Sequence, residues 1–266
     1  MSPINFYIDQ MGRTVQVPSQ IERIISLVPS QTELLFDLGL ADKIVGITKF
    51  CIHPADQCKE VVKVGGTKQY TRALIDQLKP DLIIGNKEEN EAVQIEALTK
   101  DYPVWMSDIY NLQDALAMIE QIGHLTSTQT KAGDLLKAIK QDFTKIQSPK
   151  QRLKVAYFIW REPYMLAAND TFIHEMLLAA GFDNAFAHLS RYPSIELSDL
   201  KNYPLDLIFL SSEPFPFKKK YFPPFQEVLP EVPIQVVDGE MFSWYGSRLL
   251  KAAKYFNTLQ SQLARP

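Results

Sequence analysis

The sequence predicts an α/β protein made of two similar parallel-sheet lobes, joined by one long bridging helix, with a ligand cleft between the lobes. Three observations lead to this prediction. Short apolar strands alternate with amphipathic helices, the segment 128–146 has the pattern of one long helix, and motifs that precede this segment recur after it. We therefore expect an N-terminal α/β lobe at residues 1–125, the bridging helix at residues 126–148 and a C-terminal α/β lobe at residues 149–266.

The bridging helix is the clearest single element. Its apolar residues fall on one stripe of a helix with about 3.6 residues per turn: Leu135, Leu136, Ile139, Phe143 and Ile146. Pro149 ends the helix, because the residue before a proline avoids the helical conformation. At about 1.5 Å per residue, the helix would be roughly 30 Å long. The alternative is a crossover helix packed inside a single domain.

The N-terminal half begins with alternating apolar residues that predict a hairpin over residues 4–18 and a buried strand over residues 23–28. Ser30 and Glu33 have the spacing of a capping box, which predicts the start of a helix that ends at Gly39. The same reasoning predicts further strands and helices in this half: strands at 43–48, 81–84 and 104–106, a loop at 49–57, and helices at 71–78, about 91–98 and 112–122. The segment 61–66 leads into a second turn at 65–68.

The C-terminal half repeats this alternation. Strands are predicted at 154–160, 205–210 and 234–237, and helices at 171–180 and 247–263. Motifs on either side of the bridging helix correspond in the same order: 33–39 with 175–181, 79–84 with 203–208, and 102–104 with 232–234. Strands that alternate with helices imply a parallel sheet in each lobe.

The bulk composition excludes several classes of partner. The 266 residues are 46% hydrophobic and 22% charged, with a net charge of -3. A chain without a basic field is a poor partner for nucleic acid, and no apolar run approaches the roughly 20 residues that span a bilayer. The N-terminus lacks the pattern of a secretory signal. We expect a periplasmic or cell-envelope protein if a signal was removed, and a cytoplasmic protein if Met1 is the native start.

Ligands of open parallel sheets bind beyond the carboxyl ends of the strands, which identifies candidate ligand-binding residues. In the first lobe they are Pro29, Ser30, Phe50, Cys51, His53, Thr67, Lys68, Asn86 and the loop 87–90, which contains Glu89 and Asn90. In the second lobe they are Trp160, Arg161, Tyr164, Tyr192, Glu213, Glu240, Phe242, Trp244, Tyr245 and Arg248. The density of aromatic residues suits a large flat organic ligand or chelate.

Each candidate has a structural alternative. Trp160 and Tyr164 could belong to the core, and the aromatic run 242–245 could be a packing patch. Acidic residues near 87–90 are typical of a solvated helix start. Arg248 lies at the predicted start of the last helix, where a cation is unfavourable, and this indicates a ligand contact or a salt bridge.

The sequence offers weak signals for metal binding and none for catalysis. Cys51, His53 and Cys58 have soft ligand atoms, but no second pair has ligand spacing, so we predict ordinary thiols and no protein metal site. If the ligand carries its own metal, His53 or Cys51 could supply an axial bond. No nucleophile elbow, Walker loop or zinc-protease motif is present, and residues 65–68 are interpreted as a turn.

Segments that carry a resemblance to a known family are spread over the chain: Arg23–Glu33, Gly39, Val45-Gly46, Gly65-Gly66-Thr67 and Leu78–Ile83. Together with the bridging helix, they resemble the helical-backbone class of bacterial substrate-binding proteins, which serve ABC importers of cobalamin, haem and iron-siderophores. The resemblance is strongest to the cobalamin-binding branch. It implies a monomer that binds a corrinoid or related metal chelate between two lobes, docks on a membrane permease, has no intrinsic cofactor and is not an enzyme.

The resemblance also implies roles for individual residues. Phe50 matches an aromatic residue that packs on the corrin, and the segment 160–164 matches a second-lobe loop of the site. Glu240 and Arg248 match an acid and an arginine at the cleft. One tryptophan of the family pattern is absent near Thr67, and another is replaced by Asn86.

Importer members present one glutamate on each lobe to the permease. Ala73 and Ser198 occupy those places here, with Asp76, Glu196 and Asp199 close by in the sequence. This departure keeps two alternatives open. One is a cytosolic carrier or sensor of a metal chelate. The other is a chelatase-like enzyme, for which the acid–base candidates would be His53, His174 and Glu240.

Overall fold

Two five-stranded sheets, in two compact units, organise the protein. In the computed structural model, residues 3–263 are described. The first unit holds the chain through Ile109, together with Gln113–Ala138 and Tyr245–Arg248. The second unit holds Tyr110–Leu112, Ile139–Trp244 and the chain from Leu249 onward. The predicted boundaries of the lobes at residues 125 and 149 stay a prediction.

The first unit begins with a two-stranded antiparallel hairpin of β1 and β2, followed by a parallel sheet in the order β5-β4-β3-β6-β7. The strands are β1 (Ile4–Ile8), β2 (Thr14–Pro18), β3 (Ile24–Ser26), β4 (Ile44–Thr48), β5 (Val62–Gly65), β6 (Leu82–Asn86) and β7 (Val104–Ser107). The helices up to the end of this half are α1 (Pro29–Asp37), α2 (Ala55–Glu60), α3 (Arg72–Leu78), α4 (Ala92–Thr99), α5 (Leu112–Leu125) and α6 (Gln129–Phe143).

The second unit contains a sheet in the order β10-β8-β11-β12, with a short antiparallel strand β9 beside β8. Its strands are β8 (Leu153–Trp160), β9 (Met165–Leu166), β10 (Phe182–Asn184), β11 (Leu207–Ser211) and β12 (Ile234–Val237). The helices of this half are α7 (Phe172–Ala179), α8 (Pro223–Val228), α9 (Glu240–Ser243) and α10 (Leu249–Leu263). Because all neighbours except β9 pair in parallel, the predicted α/β class with a parallel sheet in each half is confirmed.

The internal repeat of the sequence corresponds to a repeat of topology. The order β4-β3-β6-β7 in the first unit matches β10-β8-β11-β12 in the second. Just before β6, Asp81 accepts the backbone N–H of Arg23 at 3.0 Å. Just before β11, Asp206 accepts the backbone N–H of Lys154 at 2.8 Å. An aspartate thus fixes the start of the neighbouring central strand in both halves.

The chain passes from the first unit to the second within α6, which is one uninterrupted helix of 15 residues. Its apolar stripe faces inward, and Ile139 is fully buried. The prediction that the helix reaches Ile146 is wrong by one turn. Beyond Phe143 the backbone N–H groups of Lys145 and Ile146 bond to carbonyls three residues back, the tighter pattern with which helices end.

Two local predictions are corrected by the structure. Helix α1 has Val28 at its N-cap, without a side-chain cap, and Pro29 as its first residue, so Ser30 and Glu33 lie inside the helix and the predicted capping box is wrong. Proline suits this first position because its fixed φ is helical and its missing N–H would have no partner there. The segment 49–57, predicted as a loop, contains the start of α2.

Candidate ligand-binding site

Phe50 is an exposed aromatic residue among the sequence-predicted site residues of the first unit. It follows β4 by two residues, at the carboxyl edge of the sheet, and its side chain is 51% exposed. An added methyl group on Gly66 would lie 3.3 Å from the ring, so the absence of a side chain there lets the turn after β5 pack closely against Phe50. The Lys49 ammonium group lies 5.1 Å from the ring centroid. The ring is therefore backed by its own unit and open to an aromatic partner.

Asn86 and Thr67 hold neighbouring loops at the same edge. The Asn86 side-chain oxygen accepts the backbone N–H groups of Glu88 and Glu89 at 2.8 and 3.1 Å. Asn90 accepts the backbone N–H of Asn86 at 2.9 Å and donates to the Thr67 carbonyl at 2.9 Å. Because Asn86 and Thr67 are buried, their contribution is to fix the loops after β5 and β6.

Two residues of this network were not predicted as part of the site. The Asn86 amide donates to Ser107 Oγ at 2.9 Å, and Gln31 Nε2 donates to the same oxygen at 2.5 Å. Both lie at the carboxyl edge, Ser107 as the last residue of β7 and Gln31 in the first turn of α1. A systematic reading of every strand terminus would have found Ser107. Pro29 and Ser30 lie beside Gln31 at the start of α1, with Ser30 buried.

Lys68 lies in the turn after β5, and Glu89 lies in the neighbouring loop after β6. Lys68 Nζ donates to the Glu88 carbonyl at 2.7 Å and lies 3.8 Å from Glu91. Burial, and then the nearby charge of Glu88, raise the pKa of the Glu89 carboxyl, while Lys68 lowers it. Lys68 therefore ties the turn after β5 to the loop after β6.

The thiols of Cys51 and Cys58 are structural. Cys51 Sγ lies 3.1 Å from Thr32 Oγ1 and 3.2 Å from Thr48 Oγ1 and is buried, so it does not face an open surface. Burial raises the pKa of the Cys51 thiol. Cys58 donates to the His53 carbonyl at 3.2 Å.

Within residues 3–263, no group of three or more His, Cys, Asp or Glu side chains is placed to hold a metal ion. His53 is half-buried in the segment after β4, and its position remains compatible with contact to a ligand at the carboxyl edge. His174 is buried in α7, where its ring nitrogen lies 3.3 Å from the Asn184 amide. This packing favours a structural part for His174 over the acid–base part considered above.

Arg248 forms a buried salt bridge inside the first unit. Its Nε donates to Glu33 Oε2 at 2.8 Å, and the two side chains are 6% and 7% exposed. Of the two alternatives open for Arg248, the structure favours the salt bridge. Gly246, two residues before Arg248, has φ of 108°, a backbone conformation that residues other than glycine rarely adopt. Because Gly246 has no side chain, the segment Tyr245–Arg248 can approach α1 closely. Tyr245 is buried in this segment.

Trp160 presents the most exposed aromatic ring of the predicted site in the second unit. It is the last residue of β8, is 39% exposed and packs against Phe215 with ring centroids 5.9 Å apart. The adjacent Arg161 lies over the Tyr221 ring at 5.4 Å and pairs with Glu162 at 2.8 Å. The carboxyl end of β8 thus carries an exposed indole beside a cation.

Other predicted aromatic residues of the second unit pack inside it. Tyr164 contacts the core through Phe158 and Phe225, with centroids 6.1 and 5.3 Å apart. Phe242 is fully buried and packs 5.2 Å from Tyr157. For these two residues the structure favours the packing alternative over exposed lining of a site.

Glu213 organises the loop after β11. Trp244 Nε1 donates to Glu213 Oε2 at 3.1 Å, and Ser243 Oγ donates to Glu213 Oε1. Trp244 is 6% exposed, so its indole has a packing part with a satisfied N–H. Glu240 opens α9, with its backbone N–H donated to Asp238 at 3.1 Å.

Tyr192 belongs to a third group, in the segment 190–194 beside β9. Its ring lies 5.5 Å from the Arg191 guanidinium group, which also lies 5.4 Å from the Tyr110 ring. Tyr192 is half-buried in the segment that bridges to Met165. The structure therefore places Phe50, Thr67, Lys68, Asn86 and Glu89 together at one edge of the first unit, and Trp160 and Arg161 together in the second.

Comparison with known proteins places this fold in a family. A family model described as periplasmic binding protein matches residues 24–232. The uncharacterized ABC transporter substrate-binding lipoprotein YvrC of Bacillus subtilis is 30% identical over 191 residues, which are 67% of this chain and 60% of that protein. The match thus spans less than two thirds of the lipoprotein's length.

Within residues 3–263, no helix is long and apolar enough to cross a membrane.

Two further proteins similar to this chain are named for different ligands. The vitamin B12-binding protein of Vibrio parahaemolyticus is 24% identical over 196 residues, which are 72% of this chain and 71% of that protein. The crystal structure of a periplasmic haem-binding protein from Pseudomonas aeruginosa is 17% identical, with a TM-score of 0.78, and covers 92% of this chain and 95% of that one. At this identity the second likeness concerns the fold alone.

These proteins are named for binding vitamin B12 and haem, so the metal chelate is their ligand and not a resident cofactor. None of the names supports the cytoplasmic alternative. The resemblance found in the sequence is confirmed at the level of the family. Because the family match extends over most of the chain, this protein belongs to the periplasmic binding protein family, as a binding protein of the ABC importer type and not an enzyme.

Proposed function

We propose that the protein binds a corrinoid or a closely related metal tetrapyrrole and delivers it to an ABC permease. The names of the Vibrio and Pseudomonas proteins support this class of ligand, because cobalamin and haem are both flat rings that hold a metal. The ferric siderophores implied by the sequence resemblance are a more distant class, since most of their surface is not a planar ring.

The observation that carries the proposal is a pair of exposed aromatic rings at strand ends. Phe50 and Trp160 are 51% and 39% exposed, and each is packed from behind by its own unit. A macrocycle gains most from a rigid aromatic face that is already in place, because little side-chain freedom is lost on binding. Single exposed aromatic residues are common on protein surfaces, so what supports a binding part for these two is their position at the carboxyl ends of parallel strands, where ligands of such sheets bind.

His53 is the candidate for direct contact with the metal of such a ligand. The Cys51 thiol is buried against two threonine hydroxyls, whereas His53 is half-buried in the segment that follows Phe50. Neutral imidazole is a common ligand of first-row transition metals such as iron and cobalt. We therefore expect His53→Ala to alter the visible spectrum of a bound chelate more than its affinity.

The permease contact is proposed for exposed acidic residues near the positions that the resemblance indicates. In the second unit, Glu196 and Asp199 are exposed around the short 3-10 helix Leu197–Asn202. In the first unit, Asp76 already accepts hydrogen bonds from Arg72 and Tyr102, each at 2.7 Å. The second unit thus offers the more accessible carboxylates. A cell-envelope location follows from this proposal and agrees with the lipoprotein and periplasmic names of the relatives.

Calorimetric and absorbance titrations with cyanocobalamin, haemin and a ferric hydroxamate siderophore test the proposed ligand class. We expect saturable binding of one of the two tetrapyrroles with a shift of its visible bands, and no comparable binding of the siderophore. Saturable binding of the siderophore alone would contradict the tetrapyrrole proposal while leaving an importer function in place. Silence with all three ligands would contradict both.

A further inference from the structure

The outer face of the N-terminal hairpin is an exposed apolar stripe. Ile4, Phe6 and Ile8 of β1 are 57%, 66% and 67% exposed. The inner face of the same hairpin is packed, since Val15 and Val17 of β2 are 6% and 1% exposed. Directly paired residues share a face of the sheet, so Phe6 and Gln16 lie on the outer face, whereas Tyr7 and Val15 lie on the inner face. Three large apolar side chains thus cover one face of a single strand.

The stripe lies on a strand whose second edge has no partner strand among residues 3–263. The N–H of Ser19 donates to the Pro3 carbonyl at 2.8 Å, and the N–H of Asp9 donates to the Arg13 carbonyl at 3.0 Å. Hydrogen bonds alternate along an antiparallel strand, so the odd-numbered residues of β1 bond to β2. The backbone N–H and C=O groups of Ile4, Phe6 and Ile8 therefore point away from the hairpin.

This edge is held firmly in place. Asp9 is buried and forms a salt bridge with Arg13 at 2.6 Å across the hairpin turn. Gln10 donates its backbone N–H to Met106 at 3.1 Å and its side-chain amide to Asp114 at 2.8 Å. A fixed strand with open hydrogen-bonding groups is a template for pairing with another strand.

The sequence of β1, INFYI, is symmetric in its apolar pattern about Phe6. An antiparallel copy of the strand, paired about this residue, sets Phe6 opposite Phe6 and Ile4 opposite Ile8, all on the same face. The three outward residues of each strand would then form six backbone hydrogen bonds across the pair. Charged residues and prolines, which natural edge strands use to prevent pairing, do not occur in β1.

From this self-complementarity we propose that the protein associates with a second copy of itself through antiparallel pairing of β1 with β1, centred on Phe6. The pairing joins two isolated hairpins into a four-stranded sheet, and a sheet of that size is more stable than a two-stranded one. This inference does not depend on the ligand, and it differs from the monomer that the sequence resemblance implies. One five-residue strand from each copy makes an interface below the standard size of about 1,600 Å², so the association is expected to be weak and reversible.

Sedimentation velocity over a series of protein concentrations tests the pairing. We expect the weight-average sedimentation coefficient to rise toward that of a dimer between about 10 µM and about 1 mM, the range of weak transient complexes. Phe6→Lys and Phe6→Glu, each alone, should remain monomeric over this range because like charges would meet at the two-fold centre. The matched control is Val93→Lys on α4, which replaces another exposed apolar residue and should associate like the parent.

Mixing the two charged variants separates a specific pair from a loss of hydrophobic surface. Equal amounts of Phe6→Lys and Phe6→Glu should form a mixed dimer, because opposite charges then meet at the centre of the paired strands. Circular dichroism should show that both variants keep the parent's fold, since Phe6 contributes to the outer face alone. A parent that is monomeric at every concentration would overturn the proposal. So would the absence of a mixed dimer, or an equal loss of association in Val93→Lys.

Discussion

Glu33 and Arg248 lie 215 positions apart in the chain and form a buried ion pair in the first unit, with Arg248 Nε donating to Glu33 Oε2 at 2.8 Å. The pair attaches Tyr245–Arg248, which follows the last strand of the second sheet, to helix α1 of the first unit. A paired charge in such a place is costly to desolvate, and it is stabilising only relative to leaving one partner alone.

Replacing Arg248 by methionine is expected to destabilise the first unit strongly. The Glu33 carboxylate would remain buried without its cation, which costs about 3–5 kcal/mol in comparable cases. Urea unfolding, followed by far-UV circular dichroism, measures the shift of the transition. The control is the double variant Glu33→Leu with Arg248→Met, which removes both charges and should recover much of the lost stability. A double variant as unstable as Arg248→Met would show that the packing of the segment, and not the charge pair, determines the effect.

The buried thiol of Cys58 predicts a loss of stability at alkaline pH. Burial, and then the neighbouring Cys51, raise the pKa of Cys58 from 9.0 to about 11. The folded state therefore holds this proton more tightly than the unfolded state. The resulting stability is fully present below pH 9 and is lost as the pH rises to about 11. A shift of this size corresponds to roughly 2–3 kcal/mol.

Unfolding free energies measured at pH 8 and pH 11, under reducing conditions, check this prediction. Cys58→Ala is expected to be less stable than the parent at pH 8, because the buried side chain is shortened. Its further loss between the two pH values should be smaller than the parent's by roughly 2 kcal/mol. An identical pH dependence of the two proteins would rule out the thiol as the source.

Fluorescence quenching by acrylamide should report almost entirely on Trp160. The protein has three tryptophans, and Trp160 is 39% exposed whereas Trp105 and Trp244 are fully buried and 6% exposed. We expect Trp160→Phe to remove most of the quenchable emission. The matched variant Trp244→Phe should leave the accessible fraction nearly unchanged. Equal accessibility of the remaining tryptophans in both variants would show that the carboxyl end of β8 is not open to solvent.

The strands and the repeat were predictable because they depend on local patterns. Apolar runs, the proline that precedes a strand and the glycine that ends a helix are all readable within about ten residues. Gly39 and Gly181, with φ of 82° and 80°, end α1 and α7 as expected. The fold class followed from these elements and their order.

For the candidate site residues, placement after the strands was predictable from the sequence, but their contacts were not. Residues after each strand could be named, because parallel strands share one carboxyl edge. The sequence could not distinguish the exposed Trp160 from the buried Phe242, since both are aromatic and follow or flank strand ends. The capping box failed for a similar reason, because the true partner of Glu33 is Arg248. Such contacts depend on how distant segments meet, which local spacing does not encode.

The most direct test of the proposed function is the affinity of the parent protein and of Phe50→Ala and Trp160→Ala for cyanocobalamin and haemin, measured by calorimetry. Phe6→Ala is the matched control, because Phe6 is also an exposed aromatic residue but lies on the N-terminal hairpin. The account predicts that the parent and Phe6→Ala bind one of the tetrapyrroles equally, and that each site variant binds it roughly tenfold more weakly, as expected for the loss of about 1.4 kcal/mol of ring contact. Unchanged affinity in both site variants, or no binding by the parent, would contradict it.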